Sequence, residues 1–234
     1  MKIALKAKEA MNMFCIPIIA QNTEEAVGKM KRAAKVADVL EVRLDLMDSF
    51  DLKAIVSAAG KPVLITYRSL SEGGKGDAGP EKSADYLISA IEAGADLIDV
   101  ELAMPPEIRD RVLRAAGKTK IVISTHITSG TPSGDVLEKI YTSSIAAGGD
   151  IVKIVTMARE REDNLRTLEL VNRAKKDGVR IVSFCMGPLG RMSRVFSVFM
   201  GAYMTFASLE PGQESANGQI AIDKMKEIAG FFST

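Results

Sequence analysis

Residues 148–156 read GGDIVKIVT. A glycine pair is followed by an apolar, β-branched run with Lys153 set among Ile151, Val152, Ile154 and Val155. A short run of this kind, bounded by turn residues, predicts a strand covered on both faces. Lysine is seldom buried without a partner. On a covered strand it cannot be explained as protection of a sheet edge. Two explanations remain. Lys153 is paired with a buried carboxylate, or it is an amine desolvated enough to be partly neutral, able to attack a carbonyl and form an imine.

Working outward, the same unit recurs along the chain: a short apolar run, then a longer amphipathic stretch rich in Ala, Glu, Lys and Leu. Strands are predicted at 14–20, 39–45, 62–67, 96–102, 120–125, 150–156, 180–185 and 203–208. Helices are predicted at about 23–36, 51–59, 80–93, 106–116, 133–147, 161–176, 190–199 and 218–230. Thr23, Ser133 and Asp135 read as cap signals, and Gly60, Gly94, Gly117, Gly148 and Gly178 as helix stops. Eight strand–helix units predict an α/β fold, a (β/α)8 TIM barrel spanning 1–234 as one domain. The alternative is an open doubly wound sheet, but AQNTEEA (20–26) follows the first strand where a glycine-rich phosphate loop would stand. The stretch LEPGQESANG (209–218) predicts a loop after the eighth strand.

Composition narrows the function. The chain has 234 residues, 47% hydrophobic, and a net charge of +1 from 31 basic and 30 acidic residues. Such a balance points away from nucleic acid or an anionic membrane as partner. Cys15 and Cys185 are far apart in apolar stretches and read as buried free thiols of a reducing compartment. The first twenty residues are interrupted by Lys6, Lys8, Glu9 and Asn12, so no signal peptide is expected and a cytoplasmic location is. One histidine, two distant cysteines and no close carboxylate triplet predict no metal site.

Chemistry in such a barrel belongs at the C-terminal ends of the strands. Glu41, Arg43 and Asp45 alternate along the second strand and are expected to share its inward face, as ligand contacts or as a buried ion pair. Arg68 stands at the mouth of the third strand with Glu72 four residues on, a candidate pair or a solvated loop. Asp99 and Glu101 share a face of the fourth strand and suit carboxylates that hold neighbouring cations. His126, the only histidine, closes the fifth strand beside the Lys153 strand, so the two can converge as proton mover and nucleophile. Arg191 and Arg194 follow the seventh strand, where an arginine fork suits a planar carboxylate. Ser215 and Gln219 offer hydrogen bonds from the last loop.

In this order the motifs resemble type I 3-dehydroquinate dehydratase: Glu41-x-Arg43-x-Asp45; Arg68-Ser69-x-x-Glu72-Gly73-Gly74; Ser124-x-His126 with Thr131-Pro132 beyond; Asp150-x-x-Lys153; Ser193-Arg194; and Ser215-Ala216-x-Gly218-Gln219. The resemblance runs from the strand near 41 to about 222. It implies a TIM barrel, a homodimer, no metal or cofactor, and a place in the shikimate pathway of aromatic amino acid biosynthesis. It further implies that Lys153 forms a Schiff base with 3-dehydroquinate and that His126 is general base and then general acid. Glu72 would orient His126, and Arg194 would bind the carboxylate. Glu41, Arg43 and Arg68 would contact the ring hydroxyls or support the groups that do. Ser215 and Gln219 would close over the ring, and Met186 would pack near the imine. Ile127, Thr128 and Asn217 depart from the family's usual residues. The competing readings are another class I Schiff-base aldolase, which would be expected to carry a clearer phosphate cradle, and a catalytically silent barrel that binds a carboxylate.

Overall fold

The computed structural model describes residues 13–232. The signal-peptide reading rests largely on residues 1–12, outside them. Eight strands alternate with eight helices: β1 (Phe14–Ile18), α1 (Thr23–Ala33), β2 (Val39–Arg43), α2 (Leu52–Ser57), β3 (Val63–Thr66), α3 (Gly79–Glu92), β4 (Leu97–Glu101), α4 (Pro106–Ala115), β5 (Lys120–Ile127), α5 (Gly134–Ala146), β6 (Ile151–Met157), α6 (Asp163–Asp177), β7 (Ile181–Met186), α7 (Arg191–Phe199), β8 (Thr205–Phe206) and α8 (Ile222–Phe232). All ladders are parallel, in the order β7-β6-β5-β4-β3-β2-β1-β8. This is the expected TIM barrel rather than an open doubly wound sheet, for β8 pairs with β1. No ladder joins β7 to β8 among the described residues. Beside that seam the Tyr203 amide, just below β8, donates to the Ile181 carbonyl (2.7 Å).

An apolar interior layer is built from Cys15, Val39, Leu64, Leu97, Val122, Ile151 and Val182, on β1 to β7, and from Met204 just before β8; Val155, Phe184 and Phe206 of the same cluster lie further along their strands. The other faces pack on the helices, as Ile98 and Val100 do with Leu87 and Val112, and Val152 and Ile154 with Leu137 and Val171. Each large aliphatic side chain so buried contributes about 1.5–3 kcal/mol. Within GGDIVKIVT, Ile151 and Val155 face the interior and Val152 and Ile154 face the helices. Lys153 lies in the inward row between its two apolar neighbours. The glycine pair is required by its surroundings. Gly148 has φ +87, and a Cβ on Gly149 would stand 2.5 Å from Ile123 Cγ1.

At the opposite end of the barrel an aspartate stands immediately before β2, β4 and β6: Asp38, Asp96 and Asp150. Their carboxylates accept an amide at the start of the preceding strand, from Phe14 (2.9 Å), Val63 (2.9 Å) and Ile121 (2.8 Å).

Several boundaries differ from expectation. The side chain that caps α1 is Asn22, which accepts the Glu25 amide, while Thr23 begins the helix. Ser133 occupies the cap position of α5 without a side-chain bond. The last helix begins at Ile222, so the loop after β8 is longer than predicted. β8 has two residues rather than six, because its β7 edge has no ladder. Both cysteines are free and buried. Among the described residues no helix is long and apolar enough to cross a membrane.

Candidate active site

Above the apolar layer the inward row turns polar. Glu41, Thr66, Asp99, Ser124 and Lys153 come from β2 to β6, each two residues beyond its strand's member of the apolar cluster. Phe184 and Phe206, on β7 and β8, complete the ring. The cleft over this layer leaves about 540 Å³ of empty space, open solvent at its mouth included. Glu41, Arg43, Arg68, Glu72, His126, Lys153, Arg194, Ser215 and Gln219 all line it.

Lys153 is 3% exposed. Its Nζ donates to Asp99 Oδ2 at 2.9 Å and lies 3.6 Å from Glu41 Oε1 and 4.7 Å from the Phe206 ring centre. It thus has the carboxylate partner that the structural explanation required, and it also faces the cleft that the chemical one required. Burial alone would raise the Asp99 carboxyl, but Arg68 and Lys153 outweigh it and hold it far below the usual carboxylate range. Thr66 Oγ1 donates to Glu41 (2.9 Å), fixing that carboxylate in the same layer.

Arg68 is not the solvated loop residue that local pattern allowed. It is 4% exposed and contacts three carboxylates: Glu72 (3.0 Å), Asp99 (2.7 Å) and Glu101 (2.8 Å). Their combined field raises its already high proton affinity despite burial. Arg68 therefore links the partner of Lys153 to the partner of His126.

Glu72 closes a 3-10 turn (Leu70–Glu72) and is followed by Gly73 at φ +82, the left-handed turn that brings the chain back. Its Oε2 accepts from the His126 amide (3.0 Å) and lies 2.9 Å from His126 Nδ1, a bond it accepts in the tautomer with the proton on Nδ1. A proton on Nδ1 leaves Nε2 as the free base. Burial, augmented by Glu101 and Asp99, pushes the Glu72 carboxyl up to about 8, with Arg68 opposing. Burial together with the cations Arg68 and Lys153 holds the His126 imidazole well below its ordinary value, so it stands neutral.

Arg43 and Asp45 require a correction. β2 ends at Arg43, and Asp45 lies in a 3-10 turn (Leu44–Leu46) rather than on the strand. It accepts Arg43 Nε and Nη2, both at 2.7 Å, and the Lys75 amide at 3.0 Å. Asp45 thus clamps Arg43 against the cleft rather than lining it.

Arg194, on the first turn of α7, is 1% exposed and faces no carboxylate among the described residues. Its guanidinium carbon lies 4.3 Å over the Phe184 ring, and its Nη2 is 3.5 Å from the Asn217 carbonyl. Burial pushes its proton affinity down, to about 9. Arg191 is exposed. In the last loop Gln219 and Ser215 bond to each other twice at 2.9 Å and roof the cleft. The Asn217 departure acts only through its backbone, whose carbonyl accepts the Gly187 amide (3.0 Å) as another residue's would. Thr128 packs its methyl where a Cβ on Gly73 would stand, 2.9 Å away, so this departure supports the Glu72 turn.

Residue reasoning under-weighted Asp99, which binds both Lys153 and Arg68, and left out Phe184 and Phe206. The period-two alternation of β4 was the available signal for Asp99, while the two phenylalanines carried none. Among the described residues no group of three or more His, Cys, Asp and Glu side chains is placed to hold a metal ion.

A family model described as Type I 3-dehydroquinase matches residues 14–233. The chain is 35% identical over 221 residues to the 3-dehydroquinate dehydratase of Methanocaldococcus jannaschii, covering 92% of this chain and 97% of that one. Among solved structures, 3-dehydroquinate dehydratase from Geobacillus kaustophilus superposes with a TM-score of 0.88 at 27% identity, covering 95% and 91% of the two chains. The type I enzyme from Clostridium difficile, solved with covalently modified comenic acid, gives 0.83 at 26% identity over 94% and 92%. Nearly the whole chain is matched, with the lysine, histidine and arginine of the motifs gathered at one barrel mouth: it belongs to the type I 3-dehydroquinase family.

Proposed function

We propose that the protein is a hydro-lyase that removes water from 3-dehydroquinate to give 3-dehydroshikimate, through an imine on Lys153. The carrying observation is the convergence of Lys153, His126 and Arg194 on one cleft, with Glu72 on His126 Nδ1. Arg194 receives the ring carboxylate, the counter-ion that it lacks within the protein. Glu41, Arg43 and the loop residues Ser215 and Gln219 meet the hydroxyls. Lys153, after passing a proton to its surroundings, attacks the ketone carbon. The carbinolamine loses water and leaves a protonated imine. His126 Nε2 then takes a proton from the adjacent carbon, and the imine nitrogen accepts the electron pair. The resulting enamine returns the pair and expels the hydroxyl from the next carbon, which departs as water with the proton held by His126. Hydrolysis of the imine frees the product and restores Lys153. Asp99 faces the positive nitrogen throughout. Arg68 acts through Glu72 and Asp99.

This scheme needs no metal or cofactor. The reading also carries a cytoplasmic homodimer, which sedimentation of the purified protein and fractionation of cells would test. The mechanism is tested by borohydride reduction with 3-dehydroquinate present, followed by intact-mass and peptide mass spectrometry. A single adduct on Lys153 is expected. An adduct elsewhere, or none in an active protein, would overturn it.

A further inference from the structure

The polar layer of the barrel is divided. From β2 to β6 it is charged, whereas on β7 and β8 it is aromatic, with Phe184 and Phe206 in contact at a ring separation of 6.0 Å. Each ring lies beneath one cation of the cleft: Arg194 4.3 Å over Phe184, and Lys153 4.7 Å over Phe206. The two cations differ in what else holds them. Lys153 has two carboxylates nearby. Arg194 has a buried Nε without a partner and one long bond to the Asn217 carbonyl. A guanidinium buried without an anion needs some other attraction to hold its charge in place, and one already held costs less to order when a ligand arrives. The face of a phenyl ring carries negative charge density and attracts a desolvated cation.

We infer that Phe184 is a positioning residue that holds the carboxylate anchor Arg194 in its receiving place by a cation–π contact. The role rests on the functional reading above for the identity of the ligand. The ring is buried, and its own surroundings are apolar: Val155, Val182 and Phe206. It therefore supplies Arg194 with an attraction that, unlike a carboxylate, does not compete with the ligand for the fork. A carboxylate at this position would form the ion pair itself and close the anchor.

The test separates ring electrostatics from ring shape. Phe184 is replaced by 4-fluoro-, 3,5-difluoro- and 3,4,5-trifluorophenylalanine, which keep the shape while draining charge from the face. Calorimetry measures binding of quinate, which has the carboxylate and hydroxyls but no ketone and so reports the anchor without imine formation. Quinate affinity is expected to fall stepwise with fluorination, reaching roughly 3- to 30-fold at the trifluoro ring. The same series at Phe50, whose ring packs edge-on against Tyr86, is expected to leave quinate binding unchanged. A flat series at Phe184, an equal fall at Phe50, or no binding of quinate by the unmodified protein overturns the inference. Borohydride trapping with 3-dehydroquinate is run alongside. No adduct with the graded quinate series intact removes the functional reading alone. An adduct with a flat series removes this inference alone.

Discussion

Replacing Glu72 by glutamine keeps the shape of the side chain and removes its titration. The folded protein lifts this carboxyl from 4.5 to about 8, chiefly by burial. At about 1.4 kcal/mol for each tenfold change in proton affinity, the lift corresponds to roughly 5 kcal/mol at most. The sign follows from where the proton sits. Between pH 4.5 and 8 the folded chain keeps a proton that the unfolded chain has released, so stability falls as pH rises through that window. Below it the two states are equally protonated at this group, and above it the whole loss is present. A glutamine side chain cannot ionise, so E72Q escapes the loss. Arg68 and its carboxylates rearrange as Glu72 ionises, which trims the effect. Half of it, about 2–3 kcal/mol, still moves the midpoint of a chain this size by about 5–10 °C. The assay is thermal or urea unfolding of both proteins from about pH 4 to 9, a range that brackets the window. The E72Q curve should climb relative to wild type as pH rises past about 5 and level off near about 9. His126 contributes in the opposite sense, since its folded form resists protonation and stability falls below about pH 6.5, but to a first approximation that contribution is common to both proteins. Parallel profiles across the range would refute a buried, proton-holding Glu72.

Three further outcomes are expected. R194K keeps the charge but loses the planar fork, and should lower kcat/KM by roughly one to two decades, the cost of about 1.5–3 kcal/mol for one charge-assisted bond, while R191K at the exposed neighbour should change little; equal effects would mean that the anchor is misassigned. H126A should still be trapped on Lys153 by borohydride but turn over about 10²–10⁴-fold more slowly, and near-normal turnover would leave His126 a structural residue. Activity should survive exhaustive dialysis against EDTA, and a loss restored by a divalent ion would reveal a metal requirement.

Much of this was legible from the chain because period and spacing are local properties. The apolar run DIVKIVT marked Lys153 as a lysine on a covered strand, and eight such runs counted out the barrel. Long-range effects were not legible. Arg68 looked like a loop cation because its partners Asp99 and Glu101 lie about thirty residues away in sequence, on β4. Asp45 follows the strand alternation by number but has left the strand, since the 3-10 turn begins one residue earlier. β8 was over-extended because residues 203–208 have strand composition, and composition says nothing about whether a neighbour is there to pair. Phe184 and Phe206 read as ordinary core, and only their place beneath two cations distinguishes them.

The missing ladder between β7 and β8 makes the barrel a split ring rather than a closed hoop. Around most of the circumference, separating two strands breaks a run of backbone bonds at once. At the split, parting the walls breaks one backbone bond beside the strands, Tyr203–Ile181, one between the loops above, Gly187–Asn217, the Thr205 hydroxyl bond to the Arg194 carbonyl, and side-chain packing. Spontaneous breathing should therefore be concentrated there, and amide deuteration should enter at Tyr203 well before it reaches the middle of β5 or β6. Arg194 and the roof loop are mounted on the two sides of that split, one after β7 and the other after β8. The joint with the fewest rivets is the one that carries both the anchor and the roof of the cleft.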